Sequence, residues 1–131
     1  MNDVSAQVTT HVRARVTAAF PSCLVTSGAV RGQEATLPAL LVRFTFPEDV
    51  AAARDSSGEE VLTRTVCVAE SFSGTSGREA REILAVADDA MRECGFRRSN
   101  YTELPDADAS VRRYSATWRA CVDRDGVTSS W

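Results

Sequence analysis

The chain contains no lysine, and this absence removes several kinds of chemistry at once. All 15 of its basic side chains are arginine. Without lysine there is no side-chain amine to form a Schiff base, and no phosphate loop of the type that ends in a lysine. A GC-rich coding sequence explains the bias toward arginine, but the chemical exclusion holds whatever its origin.

Histidine is nearly absent, and the cysteines are too widely spaced to compensate. His11 is the only imidazole, and Cys23, Cys67, Cys94 and Cys121 form no C-x-x-C pair. Structural zinc needs closely spaced Cys and His ligands, and a serine–histidine triad needs a nucleophile elbow, G-x-S-x-G, which the sequence lacks. The sequence therefore predicts four free thiols, no zinc site and no nucleophilic triad.

Long apolar runs and a strong charge imbalance are also missing. The longest apolar run, residues 83–87, is far below the roughly 20 residues that a helix needs to cross a bilayer. The first twelve residues lack the basic and then apolar pattern of a secretory signal. A net charge of −3 argues against a broad electrostatic grip on nucleic acid. We therefore expect a cytosolic protein with no membrane span and no sequence-specific nucleic-acid partner.

What is present is the composition of one globular domain. With 131 residues, 44% of them hydrophobic, the chain can bury one sizeable core but not two, so residues 1–131 are predicted to form a single domain. Residues 3–20 carry an apolar residue at every fourth position and predict an amphipathic helix. A second helix is predicted to start at a capping box, Ser76 to Glu79, and to stop at Gly95.

Alternating hydrophobicity predicts the strands. They are expected at residues 23–27, 39–46, 61–72, 96–102 and 110–122, with a final short strand or an irregular tail at the end of the chain. In residues 39–46 the even-numbered residues should form the one clearly buried side. The last long strand should bury its even-numbered residues and leave the odd-numbered ones polar. This order predicts an α+β domain, a mostly antiparallel mixed sheet with two helices packed on one face.

Two acidic stretches stand out. Residues 47–60 hold five acids and one arginine, and residues 99–110 hold three acids and no arginine. We expect a long loop at 47–60 and an acidic turn in the second stretch, and loops of such length are usually functional. The candidate docking residues in the first stretch are Glu48, Asp49, Asp55, Glu59 and Glu60. Arg113 and Arg119, on the polar side of the last long strand, are candidates for contacts between subunits.

The segment SFSGTSG, at residues 71–77, places a glycine-rich turn between a predicted strand and a predicted helix, the layout of many phosphate sites. Neither G-x-x-x-x-G-K-[ST] nor G-x-G-x-x-G occurs, and turning and capping account for every residue of it. A small-anion-binding enzyme subunit that uses residues 74–77 and Arg78 is an alternative hypothesis.

The paired carboxylates do not assemble a catalytic site either, because Asp88 and Asp89 should face solvent. With no triad, no metal ligands and no carboxylate site, we expect no enzyme, no metal site and no cofactor.

The order of these segments resembles the tail terminator, or tail completion, proteins of long-tailed bacteriophages. The residues that carry the resemblance are LPALLVRF, RTVCVAESFSGTS, the helix REAREILAVADDAMRECGFRR, and then YTELPDADASVRRYSATWRACVDRDG. In that family a helix that ends in a G-F step is followed by a short strand, an acidic turn, and a strand of the type R-R-Y that closes with V-D-x-x-G. The likeness covers residues 35–126.

The resemblance implies a structural virion protein of the neck, also called a minor capsid protein. It implies a hexameric ring that binds the last ring of tail-tube subunits, stops their polymerisation and joins the tail to the head connector. It further implies assembly in the host cytoplasm, genome DNA passing through the ring, and no cofactor. A head-closure or other neck protein is the alternative within the same assembly, and a host protein with a dimeric sheet is an alternative outside it.

Overall fold

The computed structural model describes residues 3–27, 37–45, 48–49, 62–105, 110–123 and 128–129. In these residues the chain forms two helices, α1 (Ser5–Ala19) and α2 (Gly77–Glu93). The strands of the same residues are β1 (Leu24–Thr26), β2 (Ala39–Phe44), β3 (Glu48–Asp49), β4 (Leu62–Ser73), β5 (Arg97–Leu104), β6 (Arg112–Asp123) and β7 (Thr128–Ser129). Neither helix combines the length and the apolar character that a membrane span requires.

The strands form one mixed sheet in the order β1-β2-β4-β6-β5. β1 runs parallel to β2, and every other pairing between the described strands is antiparallel. β4 and β6 pair along their whole lengths at the centre of the sheet. The short β3 pairs with β4 beyond the end of β2, and the short β7 pairs with β6 beyond the start of β5. The predicted α+β class with a mostly antiparallel mixed sheet is confirmed.

Both helices pack on the same face of the sheet, as predicted. α1 contributes a stripe of Val8, Val12 and Val16, and α2 contributes a wider apolar face. The even-numbered residues of β6, from Tyr114 to Val122, point into this core and are buried, as the alternation predicts. The buried residues of α2 are Ala80, Ile83, Leu84, Ala87, Ala90 and Met91.

β2 differs from the prediction, because both of its sides are buried over the first four residues. The odd-numbered Ala39 and Leu41 pack with Phe72 and Val111 in a small second cluster on the face away from the helices. The expectation of a single buried side was therefore wrong for this half of the strand, since residues distant in sequence cover the other side. Phe46, the last residue predicted for this strand, lies outside the described residues.

The long loop predicted for residues 47–60 was wrong at its beginning. Glu48 and Asp49 form β3, which pairs with Arg64 and Thr63 of β4. The predicted docking residues Asp55, Glu59 and Glu60 belong to the part of this stretch outside the described residues, as do residues 106–109 of the second acidic stretch, where a turn was predicted.

Candidate functional site

The face of the sheet turned away from the helices carries arginines from four strands. The strand register places on this side Arg43 of β2, Arg64 of β4, Arg113 and Arg119 of β6, and Arg97 of β5. We call this side the open face, because neither of the described helices packs on it. Arg113 and Arg119, the residues predicted for contacts between subunits, therefore share one surface with three further arginines.

The open face is basic, although the chain as a whole is acidic. Among the side chains that the structure describes on this face, five arginines stand against the two carboxylates Glu70 and Asp123, a net charge of +3. Val66 and Val68 lie between them and are half-buried. Protein interfaces are enriched in arginine, and a surface that mixes arginines with apolar side chains has the composition of a contact surface.

Glu70 organises the arginines at the centre of the open face. Its carboxylate is only 8% exposed, and it accepts a 2.9 Å hydrogen bond from Arg113 Nη2 and a 3.4 Å hydrogen bond from Arg43 Nη2. β4 lies between β2 and β6, so a guanidinium from each neighbouring strand reaches the same carboxylate. A buried carboxylate of this kind needs such partners, because losing its water is costly.

Arg113 is consequently held in place within the fold. Its guanidinium carbon lies 5.4 Å from the centroid of the Phe72 ring, in addition to the bond to Glu70. Arg119 is exposed, and the strand register sets it directly opposite Arg97 of β5. Two like charges directly opposite each other across a sheet repel.

The predicted acidic docking residues are only partly described. The backbone of Glu48 is paired with Arg64, a residue of the open face, and the backbone of Asp49 is paired with Thr63. The sequence pattern did not indicate that the acidic stretch and the arginines lie close together. The structure brings the start of the acidic stretch to the margin of that face, because β3 continues the row of β2 beside β4.

The polar groups of the glycine-rich turn and of the first turn of α2 form hydrogen bonds with one another. Ser76 Oγ accepts the Glu79 amide at 3.1 Å, which is half of the predicted capping box. The other half is replaced by Ser73, whose hydroxyl accepts the amides of Thr75 and Ser76 at 3.1 and 3.2 Å and donates to the Glu79 carboxylate at 2.6 Å. This carboxylate lies in the first turn of α2, where a bound anion would otherwise interact with the helix dipole.

Arg78, the cation of the alternative anion site, donates through Nε to Glu82 at 2.8 Å, one turn along the same helix. Gly77 has a steric reason to be glycine. A Cβ atom there would stand 3.0 Å from the Tyr114 hydroxyl and 3.3 Å from the Arg112 guanidinium. These contacts support the interpretation of the segment as a turn and a cap, and anion binding stays a prediction.

The prediction that Asp88 faces solvent was wrong. Its side chain is only 15% exposed, and its Oδ1 accepts a 2.8 Å hydrogen bond from Trp118 Nε1. Arg92 and Arg98 approach its other oxygen at 3.5 and 3.8 Å. Asp89 is exposed, as predicted. A tryptophan on the inward side of a strand needs an acceptor for its N–H, which is the signal that sequence reasoning missed.

The four cysteines are free thiols, as predicted. Burial raises the pKa of Cys23 to about 11 and the pKa of Cys67 to about 12, so both are poor nucleophiles near neutral pH. Cys94, at the end of α2, and Cys121, on the open face, are half-buried. Within the described residues, no three Cys, His, Asp or Glu side chains lie close enough together to hold a metal ion.

No protein-family model and no curated protein matches this chain. Its function is therefore inferred from the open face. The open face presents arginine side chains over four adjacent strands. Such a surface can bind a carboxylate-bearing protein through bidentate hydrogen bonds.

Proposed function

We propose that the chain is a structural virion protein that assembles into a hexameric ring, caps the tail tube, stops its polymerisation and joins it to the head connector. The observation that carries this proposal is the open face, a broad arginine-rich sheet surface opposite the helix layer. The likeness of residues 35–126 to tail terminator proteins supplies the biological context. No chemical reaction belongs to this role.

The fixed geometry of the open face supports a contact between subunits. Glu70 holds the guanidinium groups of Arg43 and Arg113, so less side-chain freedom is lost when a partner binds. Arg119 is exposed and can hold a carboxylate of the partner through two parallel hydrogen bonds. Val66 adds apolar area next to it. Together these residues present both charge and contact area.

A ring requires a head-to-tail contact, in which two different patches of the same chain meet. The open face supplies the basic patch. Glu48, Asp49, Asp55, Glu59 and Glu60 supply the acidic residues that we propose for docking to neighbouring subunits, to the tail-tube protein or to the head connector. A ring of acidic subunits would also let genome DNA slide through without holding it. The virion, after assembly in the host cytoplasm, is the proposed location.

The first test is the oligomeric state of the purified protein, alone and mixed with its tail-tube subunit, by native mass spectrometry and electron microscopy. We expect a six-fold ring in at least one of these conditions. A strict monomer in both would overturn the proposal. Fractionation of phage particles then separates a tail terminator, which copurifies with tails, from a head-closure protein, which copurifies with heads.

The second test asks which surface is buried in the ring. Cys121 lies on the open face, whereas Cys94 lies at the end of α2 on the other side of the sheet. We expect assembly to protect Cys121 from iodoacetamide and to leave Cys94 unchanged, as measured by peptide mass spectrometry. A ring in which Cys121 reacts as fast as in the monomer would show that the open face is not the contact.

A further inference from the structure

The outer edge of β2 is only half covered by its neighbour. β1 pairs with β2 from Ala39 to Leu41 and ends at Thr26, whereas β2 continues to Phe44. A cleft of about 570 Å³ lies beside the uncovered half, between this edge and α1. Its walls are lined by Val42, Arg43 and Phe44 on the sheet side and by residues of the first half of α1 on the other.

The direction of the backbone groups of β2 follows from two hydrogen bonds. The N–H of Thr45 donates to Val66 O at 2.9 Å, toward β4, and the C=O of Pro38 accepts from Leu24 N at 3.0 Å, toward β1. Backbone groups of successive strand residues point to alternate sides. Odd-numbered residues of β2 therefore bond toward β4, and even-numbered residues point toward the side of β1.

Phe44 is even-numbered, so its N–H and C=O point toward the cleft. No strand among the described residues pairs with β2 on this side beyond Leu41. A strand edge that presents the N–H and C=O groups of the same residues to one side is a template for an added strand. Such addition is a common way in which proteins bind extended segments.

The side chains around the cleft favour an acidic segment. Arg13 of α1 and Arg43 of β2 both line the cleft, and the Arg43 side chain leaves it toward the open face. Thr9 and Ser27 contribute hydroxyl groups. Asp and Glu are absent from the described lining residues. The side chains of an added strand alternate between the two faces of the sheet, so one set would lie beside Arg13 on the helix side and the other beside Arg43 on the open-face side, which suits carboxylates.

The opposite edge of the sheet is less suited to an added strand. β5 has a register irregularity between Arg98 and Asn100. The Asn100 side chain also accepts the amide of Tyr101 at 2.9 Å, so this amide is already bonded within the chain. Bulges and charged residues are devices that protect an edge from pairing. The uncovered half of β2 is therefore the better edge.

We propose that an extended, carboxylate-bearing segment of a second copy of the chain adds to β2 in this cleft, beside Phe44 and between Arg13 and Arg43. The inference rests on the proposed ring and specifies one of its contacts. A second copy is the occupant that fits, because the chain carries more acids than arginines while the cleft is basic. Arg43 borders both the cleft and the open face, so one neighbour can contact both surfaces.

Hydrogen exchange tests the backbone contact directly. The Phe44 amide should exchange at least tenfold more slowly in the assembled protein than in the dilute monomer, while the amides of β5 change little. If the ring forms and the Phe44 rate is unchanged, the inference is overturned and the ring stands. A Phe44 amide that is already protected in the monomer also overturns it, because the edge is then occupied within the chain.

Charge reversal tests the side chains of the cleft. Arg13→Glu should raise the concentration needed for assembly at least tenfold, and Arg13→Lys should largely preserve assembly. Arg78→Glu makes the same charge change at an exposed position of α2 outside the cleft and serves as the control. Circular dichroism verifies that each variant folds. Equal assembly of the Arg13→Glu and Arg78→Glu variants would overturn the inference, whereas failure of every form of the protein to associate would overturn the ring itself.

Discussion

The indole N–H of Trp118 donates a 2.8 Å hydrogen bond to the carboxylate of Asp88, which joins the centre of β6 to the middle of α2. Trp118 is fully buried and is the largest side chain of the core. The bond therefore fixes the position of the helix over the sheet at one point. It also satisfies a donor that would be costly to bury alone.

Asp88→Ala should destabilise the fold by about 1–3 kcal/mol, because the buried indole N–H loses its acceptor. Asp88→Asn keeps an amide oxygen and should cost less. Urea unfolding followed by tryptophan fluorescence measures both changes. The control is Asp89→Ala at the exposed neighbouring position, where a change within about 0.5 kcal/mol is expected. Equal losses for the Ala variants at the two positions would refute the structural role of Asp88.

Ser73 should matter to α2 at least as much as its N-cap residue, Ser76. Ser76→Ala removes one hydrogen bond of the helix cap and should lower the free energy of unfolding by about 1 kcal/mol. Ser73→Ala removes the acceptor of two amides and a partner of the Glu79 carboxylate, for an expected loss of about 1–3 kcal/mol. Thermal unfolding compares the two. The exposed Thr75→Ala is the control, and an unaffected Ser73→Ala variant would contradict the bonding described for this turn.

Arg113 and Arg119 should behave differently in the isolated chain, although both are proposed contact residues. A double-mutant cycle with Glu70→Ala and Arg113→Ala should give a coupling of about 1–3 kcal/mol, since this buried carboxylate and its guanidinium act as a pair. The same cycle with Arg119→Ala should give a coupling near zero. Urea unfolding of the monomer measures both cycles. A coupling between Glu70 and Arg119 as large as that with Arg113 would contradict the geometry.

Local patterns were sufficient to predict much of this architecture. The four-residue spacing of valines located α1, the capping box and Gly95 bounded α2, and alternation identified the buried side of β6. Each of these signals acts within a few residues of the chain. Gly95 has a φ of 86°, the left-handed conformation that such a helix stop requires.

Features that depend on contacts between distant segments were missed. The second buried side of β2 requires Phe72 and Val111, which the fold brings from two other strands. The acceptor role of Asp88 depends on how α2 sits over β6, which no local spacing in the sequence specifies. The open face itself emerged in full only with the strand order, because Arg43, Arg64 and Arg97 join the predicted pair on β6 through neighbouring strands.

Glu93 links the two helices in a way that should depend on pH. His11 Nε2 lies 3.2 Å from its carboxylate and Arg15 donates to it at 2.5 Å. These hydrogen bonds, first that of His11 and then that of Arg15, lower the pKa of Glu93 below its usual value of 4.5. A carboxyl whose pKa is lower in the folded state stabilises the fold above its unfolded pKa, and this contribution is lost as the pH falls through the folded pKa.

Glu93→Gln should therefore lower the melting temperature slightly at neutral pH, and the melting temperatures of the two proteins should converge once the pH falls below the lowered pKa of Glu93 in the folded state. The effect should be small because all three side chains are 40–45% exposed and solvent screens the pair. Circular dichroism melts at a series of pH values measure it. Glu82→Gln, at another exposed glutamate of α2, controls for the loss of charge. A difference for Glu93→Gln that persists unchanged into strong acid would show that the link does not act through the ionised carboxylate.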